Sequence, residues 1–363
     1  MPSVTSKSLT VAVVGATGVV GGTMIRNLIE RDFPFGELRL LASARSAGRT
    51  VDAHGTTLTV IEATPEAFEG VDIALFSAGG DTSKLLAPEA ARRGATVIDN
   101  SSAWRMDPAV PLVVSQVNAD DLAWHEGIIA NPNCSTMQLA APLMALRDAV
   151  GLERVVVDTY QAVSGTGGKA ITELQAQIEA HVAKTPLESA VYPHQIAFNV
   201  LPQVDVFLDN GYTKEEWKVV TESRKILHLP ELRVSSTAVR VPVFVAHSEA
   251  VHVETTAPIT PERARTLFAA VPGVVVQDDP ATSTYPLATQ AAGSDEIFVG
   301  RVRQDLSIEG GRGLAFWVVS DNLRKGAATN AVQIAEVLLE RGWIKAAAAR
   351  AATSSSAGSG VPA

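Results

Sequence analysis

The one cysteine of the chain stands in Asn131-Pro132-Asn133-Cys134-Ser135-Thr136, and its surroundings suit a nucleophile. The apolar run Gly127-Ile128-Ile129-Ala130 predicts a buried strand, and Pro132 with its two flanking asparagines predicts a turn. Met137, Leu139, Ala140, Leu143, Met144 and Leu146 predict a helix from Ser135 onward. Cys134 then falls where a strand hands over to a helix N-terminus. Unpaired backbone N–H groups and the positive end of the helix dipole favour the thiolate there. An unperturbed thiol of pKa about 8.5 is only about 3% ionised at pH 7, so lowering it by roughly two units gains at most about thirtyfold. Enzymes accelerate their reactions by about a millionfold or more, so other residues must position the thiol and stabilise charge. Gln161, Arg240 and His247 are the polar candidates later in the chain. A lone cysteine out of context is a small buried hydrophobe; the turn-to-helix setting is what argues otherwise. Pro142 inside the helical pattern predicts a kink or break.

The elements upstream read as a nucleotide site. Leu9-Thr10-Val11-Ala12-Val13-Val14 is a short apolar strand running into Gly15-Ala16-Thr17-Gly18-Val19-Val20-Gly21-Gly22, and a helix follows with Met24, Ile25, Leu28 and Ile29 inward. Strand, glycine turn and helix in that order let backbone N–H groups approach a pyrophosphate, although the spacing is GxxGxxG rather than GxGxxG. The second strand, Glu37-Leu38-Arg39-Leu40-Leu41-Ala42, ends in Ser43-Ala44-Arg45-Ser46 and not in the Asp or Glu that a ribose 2′-hydroxyl requires. A serine and an arginine suit a 2′-phosphate, which favours NADP. Two more strands end in polar turns, Ser77-Ala78-Gly79-Gly80 and Asn100-Ser101-Ser102-Ala103-Trp104-Arg105, with Asp81, Thr82 or Ser83 expected to cap the helix between them. Ligands of open parallel sheets bind beyond such strand ends, so Arg105 is a candidate anion binder.

The second half predicts strands around 154–163, 297–302 and 314–319 and helices from Ala170 and near Tyr212. Val239, Val241 and Val243 alternate with Ala238, Arg240 and Pro242, which predicts Arg240 on the face opposite the valines. Glu215 and Lys218 share a helix face, as a surface ion pair would. Ser164-Gly165-Thr166-Gly167-Gly168-Lys169 lacks P-loop spacing and reads as a turn near nicotinamide or substrate. His247-Ser248-Glu249-Ala250-Val251-His252 is not HExxH, and no metal is expected.

Composition bounds the rest. A chain of 363 residues, 46% hydrophobic and 19% charged, fits two domains with a sizeable core. A formal charge of −9 argues against a nucleic-acid or membrane-surface binder. One cysteine excludes an internal disulfide and fits a reducing cytoplasm. Met1 to Thr10 shows no signal pattern, no run approaches the roughly 18 apolar residues of a membrane span, and the Ala/Ser/Gly-rich residues 346–363 predict a disordered tail. The residues thus describe an NADP-binding α/β domain followed by an α+β domain, with thiolate attack on a carbonyl and hydride transfer as the reaction class.

Nine stretches in order (GATGVVG, LASARSAGR, FSAGG, IDNSSAWR, NPNCST, TYQAVSGTGG, EEWKVVTESRKIL, AVRVPVFVAHS and DNLRKGAATNAVQIAE) resemble the bacterial aspartate-semialdehyde dehydrogenase family. The resemblance implies an α/β fold: an N-terminal Rossmann dinucleotide-binding domain over 1–133, completed by a C-terminal helix at 323–345. A glyceraldehyde-3-phosphate-dehydrogenase-like α+β C-terminal domain over 134–322 carries catalysis and dimerisation. It implies that Cys134 forms an acyl-thioester, His247 is general acid/base and Gln161 orients the carbonyl. Arg240 would clamp the substrate carboxylate, Glu215 would meet the amino group, and Arg105, Asn133 and Lys218 would bind phosphate. Gly15, Thr17, Gly18, Val19, Val20, Arg45, Ser46, Ser164, Gly165 and Asn322 would contact NADP. The substrates implied are L-aspartyl 4-phosphate, L-aspartate 4-semialdehyde and inorganic phosphate, in a cytoplasmic homodimer serving lysine, diaminopimelate, threonine, methionine and isoleucine synthesis. Rival readings are N-acetyl-γ-glutamyl-phosphate reductase and a non-enzymatic NADP-binding redox regulator.

Overall fold

The computed structural model describes residues 9–53 and 55–344; the tail expected at 346–363 and most of the N-terminal stretch lie outside them. The chain divides into two units, one formed by residues up to 131 together with those from 328 on, the other by Pro132–Ala327.

The first unit contains β1 (Leu9–Val14), α1 (Val19–Glu30), β2 (Phe35–Ala42), β3 (Thr50–Ala53), β4 (Thr56–Glu62), β5 (Ile73–Phe76), α2 (Gly80–Arg92), β6 (Thr96–Asp99) and β7 (Ile128–Ala130). Its sheet has the order β3-β4-β2-β1-β5-β6-β7, all pairs parallel except the β3–β4 hairpin. Setting the edge strand β3 aside, this is the doubly wound dinucleotide order, with its switch point between β1 and β5. Alternate residues of β1 supply two cores. Val11 and Val13 join Met24, Ile25 and Leu28 of α1, and Ala12 and Val14 join Leu86, Ala87 and Ala90 of α2. The Asp81, Thr82 and Ser83 cap is corrected: Gly79, at φ +84, is the N-cap residue of α2, no side chain caps the helix, and the three residues lie inside its first turn. The Ser83 hydroxyl accepts instead from Trp104 Nε1 at 2.9 Å.

The second unit begins with α3 (Cys134–Val150), then β8 (Leu152–Gln161), α4 (Gly168–Ala183), α5 (Lys214–Ile226), β9 (Arg233–Arg240), β10 (His247–Thr255), α6 (Pro261–Ala269), β11 (Val274–Val276), α7 (Ala288–Ala291), β12 (Ile297–Gln304) and β13 (Gly313–Ser320). Its sheet order is β11-β12-β13-β10-β8-β9, with β8–β9 and β11–β12 parallel and the other pairs antiparallel. The buried α3 lies against β8, β10 and β13. It runs unbroken through Pro142, so the expected break is absent. In β9 Arg240 lies opposite Val239 as expected, but the extent of the strand is corrected. Ser236, Ala238 and Arg240 are its buried residues, and the strand stops at Arg240, so the valine alternation does not continue as a strand.

α8 (Asn330–Glu340) returns to the first unit, where Val332, Ala335 and Leu338 enter the core with α1 and Arg31 pairs with Glu336 at 2.8 Å. The division falls at 131/132 and 327/328, against the expected 133/134 and 322/323. Asn133 spends its side chain on partners inside the second unit, and Leu323, Arg324 and Gly326 are tied back to Asp321 by their backbone N–H groups.

Candidate active site

Within the first unit the glycine turn has the shape a dinucleotide needs. Gly15, at φ +85, packs so tightly on the turn after β5 that a Cβ would lie 2.4 Å from the Ser77 carbonyl oxygen. A Cβ on Gly21 would lie 2.2 Å from the Gly15 carbonyl oxygen, so α1 can close on the strand end only through glycine. Gly18 is the N-cap residue of α1 and no side chain caps that helix, which leaves its first turn suited to a pyrophosphate. Thr17 is exposed here, and Val19 and Val20 are half-buried. β2 ends at Ala42 without a carboxylate; Arg45 is exposed and Ser46 buried in the short turn that follows. Arg105, also in this unit, is buried and donates to the backbone oxygens of Asn131 (3.0 Å) and Asn100 (2.7 Å), tying the turns after β6 and β7 together.

Within the second unit Cys134 is the first residue of α3, as the strand–turn–helix pattern predicts. Asn133 caps the helix, its Oδ1 accepting from the N–H groups of Ser135 (3.0 Å) and Thr136 (3.4 Å). Helix α5 grips the same asparagine twice. Glu222 accepts its backbone N–H at 2.7 Å and Glu215 accepts its side-chain amide at 2.8 Å. On the far side of the cysteine, Gln161 Nε2 donates to Ser135 Oγ (3.0 Å), Thr159 Oγ1 (3.2 Å) and Glu215 (3.2 Å). Both chain neighbours of Cys134 are thereby held in one buried network. Gly326 backs the nucleophile: a Cβ there would lie 2.9 Å from that of Cys134.

Glu215 and Lys218 form no surface pair. Their contact is 3.0 Å, Glu215 is buried, and Lys218 also reaches Asp205 at 3.0 Å. Desolvation alone would raise the Glu215 pKa, but the Lys218 charge, the Asn133 bond and the Lys218 bond outweigh it and bring it to about 2. Glu215 is therefore an anion throughout the neutral range.

One peptide residue organises the basic side. Ala162 accepts from Arg240 Nη1 at 2.7 Å through its carbonyl and donates from its N–H to His247 Nδ1 at 3.0 Å. With Nδ1 accepting, the neutral ring carries its proton on Nε2. That atom and Arg240 Nε are buried without a hydrogen-bond partner among the described residues. Burial, then the Arg240 charge, push the His247 pKa down to about 3 against the opposing pull of Glu215. The ring thus presents a neutral N–H donor. A Cβ on Gly165 would lie 3.1 Å from Arg240 Nη1 and 3.2 Å from His247 Nε2, so this glycine keeps room at both groups. Ser164 Oγ donates to Asn322 Oδ1 at 3.1 Å, and the same oxygen accepts the Ala246 N–H at 3.0 Å. Ala246, at φ +78, is costly for a residue with a Cβ, and it directly precedes His247.

The second unit therefore brings together Cys134, Asn133, Gln161, Glu215, Lys218, Arg240, His247, Ser164, Gly165 and Asn322, while Gly15, Thr17, Gly18, Val19, Val20, Arg45, Ser46 and Arg105 belong to the first. Sequence reading missed Glu222, Ser135, Ala162 and Gly326. Glu222 carried a signal, since it stands seven residues after Glu215 on the same face of α5. Ala162 carried none, because it acts through its backbone. No helix among the described residues is long and apolar enough to cross a membrane.

Known proteins resemble this chain along most of its length. Residues 10–125 match a family model described as the NAD binding domain of semialdehyde dehydrogenase, and residues 143–325 match its dimerisation domain. An aspartate-semialdehyde dehydrogenase of Aquifex aeolicus is 54% identical over 338 residues, covering 92% of this chain and 99% of that protein. One of Bacillus subtilis is 53% identical over 340 residues, covering 92% and 98%. The crystal structure of aspartate semialdehyde dehydrogenase II of Vibrio cholerae, complexed with ASA, is 48% identical, covers 92% of this chain and 99% of its own, and superposes with a TM-score of 0.89.

Proposed function

The chain belongs to the aspartate-semialdehyde dehydrogenase family, and from that premise we propose that it catalyses the reversible, NADP-dependent reductive dephosphorylation of L-aspartyl 4-phosphate to L-aspartate 4-semialdehyde through a thioester on Cys134. The observation that carries this reading is the Ala162 peptide, which holds a cationic clamp and a neutral imidazole donor at Gly165, while Gln161 ties the same strand to the cysteine turn.

In this reading the Cys134 thiolate attacks the acyl carbon, the carbon–oxygen bond to phosphate breaks, and the thioester forms. Gln161 orients the carbonyl. Arg240 holds the substrate carboxylate with the fork of a guanidinium, and the permanent Glu215 anion meets the ammonium. When bound, the nicotinamide cofactor supplies the hydride to the thioester, or accepts it in reverse. The tetrahedral oxyanion takes a hydrogen bond from His247 Nε2–H. Its collapse expels the Cys134 thiolate, so the reductive half closes without any net proton transfer. In this half His247 donates a hydrogen bond and keeps its proton, so the proton transfer of its expected general acid/base role is not called on here.

The turn at Gly15, Gly18 and Gly21 would hold the pyrophosphate. Arg45 with Ser46, in place of an acidic residue, supports NADP over NAD. Arg105, Asn133 and Lys218 are the proposed phosphate ligands; each already has a partner, so phosphate would share their donors. A homodimer belongs to the same reading. Tyr160 and Trp317 stand with ring centroids 5.4 Å apart on the sheet face opposite α3, and Tyr160 is exposed. The product would enter lysine, diaminopimelate, threonine, methionine and isoleucine synthesis in the cytoplasm.

The test is NADP+ reduction with aspartate semialdehyde, with and without inorganic phosphate. Turnover that depends on phosphate and prefers NADP+ to NAD+ is expected. Equal rates without phosphate would overturn the acyl-phosphate reading.

A further inference from the structure

A buried carboxyl beneath these residues has no part in the reaction above. Glu249 lies two residues along β10 from His247 and points to the same face of the strand. It is fully buried, and neither of its oxygens has a hydrogen-bond partner of normal geometry. Thr159 of β8 and Val318 of β13 are its cross-strand neighbours, and the Gln138 amide faces it from α3. None of these carries charge, and His247, the titratable group on its own strand face, is neutral.

Each polar neighbour leads back to the site. Gln138 stands one turn after Cys134 on α3, and its Oε1 accepts from Ser320 Oγ at 2.8 Å. Ser320 is the register partner of His247. Thr159 accepts from the Gln161 amide at 3.2 Å. The Gln138 Nε2 is itself buried and unpaired beside the unpaired carboxyl.

We propose that Glu249 is a positioning residue of the reaction. Packed beside Gln138 and Thr159, it keeps the Cys134 end of α3 and the Gln161 end of β8 aligned with His247, and it does so as a carboxylic acid and not as a carboxylate. An uncompensated charge at this depth is too costly to persist, and burial, outweighing the opposing contact with Gln138, holds the group well above the usual carboxyl range. Protonated, it offers both a donor and an acceptor to its neutral surroundings. A carboxylate in the same place would also draw a proton toward His247 and undo its neutral form. The proposal rests on the roles given above to Cys134, Gln161 and His247.

The experiment compares wild type with E249Q and E249L. E249Q preserves size, neutrality and hydrogen bonding, so its kcat stays within about threefold of wild type and its pH–rate profile superimposes. E249L removes the polar contact with Gln138. Its kcat falls about tenfold or more while both KM values stay within about threefold, and its thermal midpoint changes little, because leucine fills nearly the same buried volume. Rescue by glutamine together with loss of kcat at unchanged stability separates positioning from a packing role. Full activity in E249L, or an E249Q variant as slow as E249L or shifted in pH profile, would overturn the proposal. Infrared difference spectra of wild type against E249Q supply a readout independent of turnover and of the folding of E249L. A protonated-carboxyl C=O band at neutral pH is expected, and its absence refutes the carboxylic acid. Wild-type protein lacking phosphate-dependent turnover would instead count against the underlying reaction and leave the infrared result standing.

Discussion

Serine in place of Cys134 lowers turnover by at least about a thousandfold, while the dissociation constant for NADP+ stays within about twofold of wild type. The substitution is nearly isosteric at the first residue of α3. It leaves the Asn133 cap, the Glu222 and Glu215 grips and the Gly326 wall in place, so the helix and the turn keep their shape. What changes is chemistry: a helix N-terminus can favour a thiolate near neutral pH but cannot ionise an aliphatic hydroxyl to a useful degree. The glycine turn that would hold the cofactor lies in the other unit and shares no residue with this turn. Steady-state rates and cofactor titration on the same preparation check both halves of the prediction. A serine variant retaining a substantial fraction of activity would remove the thioester from the reaction.

Arg240→Lys raises the Michaelis constant for the semialdehyde about thirtyfold, about 2 kcal/mol, and leaves that for NADP+ nearly unchanged. The guanidinium spends Nη1 on the Ala162 carbonyl at 2.7 Å and keeps a buried Nε without a partner. A lysine is a single point donor. It can satisfy Ala162 or a carboxylate with good geometry, but not both in the planar fork. Initial-rate measurements varying each substrate in turn decide the matter, and equal effects on the two constants would count against the carboxylate clamp.

The parts of this molecule readable in advance are those that repeat a local physical pattern. β1, the glycine turn and α1 follow from an apolar run, φ-permissive residues and helical spacing, and the structure explains Gly15 and Gly21 by close approaches that a Cβ would block. The placement of Cys134 followed in the same way from strand, Pro132 turn and helix. Contacts made by backbone atoms or by distant elements were not readable. Ala162 has no distinguishing side chain, yet it orients His247 and Arg240 together. The burial of the Glu215–Lys218 pair depends on where α5 packs, which (i,i+3) spacing does not report. Arg240 was expected opposite the valines and does alternate with Val239, but the strand ends at that residue, and that its face is the buried one was not readable from the alternation. The helix capped by Gly79 shows a similar override, a backbone turn at positive φ standing where one of Asp81, Thr82 or Ser83 was expected to cap.

A covalent acyl-enzyme on Cys134 is visible by intact mass measurement. Wild-type protein is mixed with aspartate semialdehyde and NADP+ in the absence of phosphate, quenched in acid, weighed and mapped by peptide. An aspartyl adduct is expected, confined to the peptide containing Cys134, formed along with one equivalent of reduced cofactor and discharged when phosphate is added. Reduction of a full equivalent of cofactor with Cys134 unmodified, or an adduct that phosphate does not discharge, would contradict it.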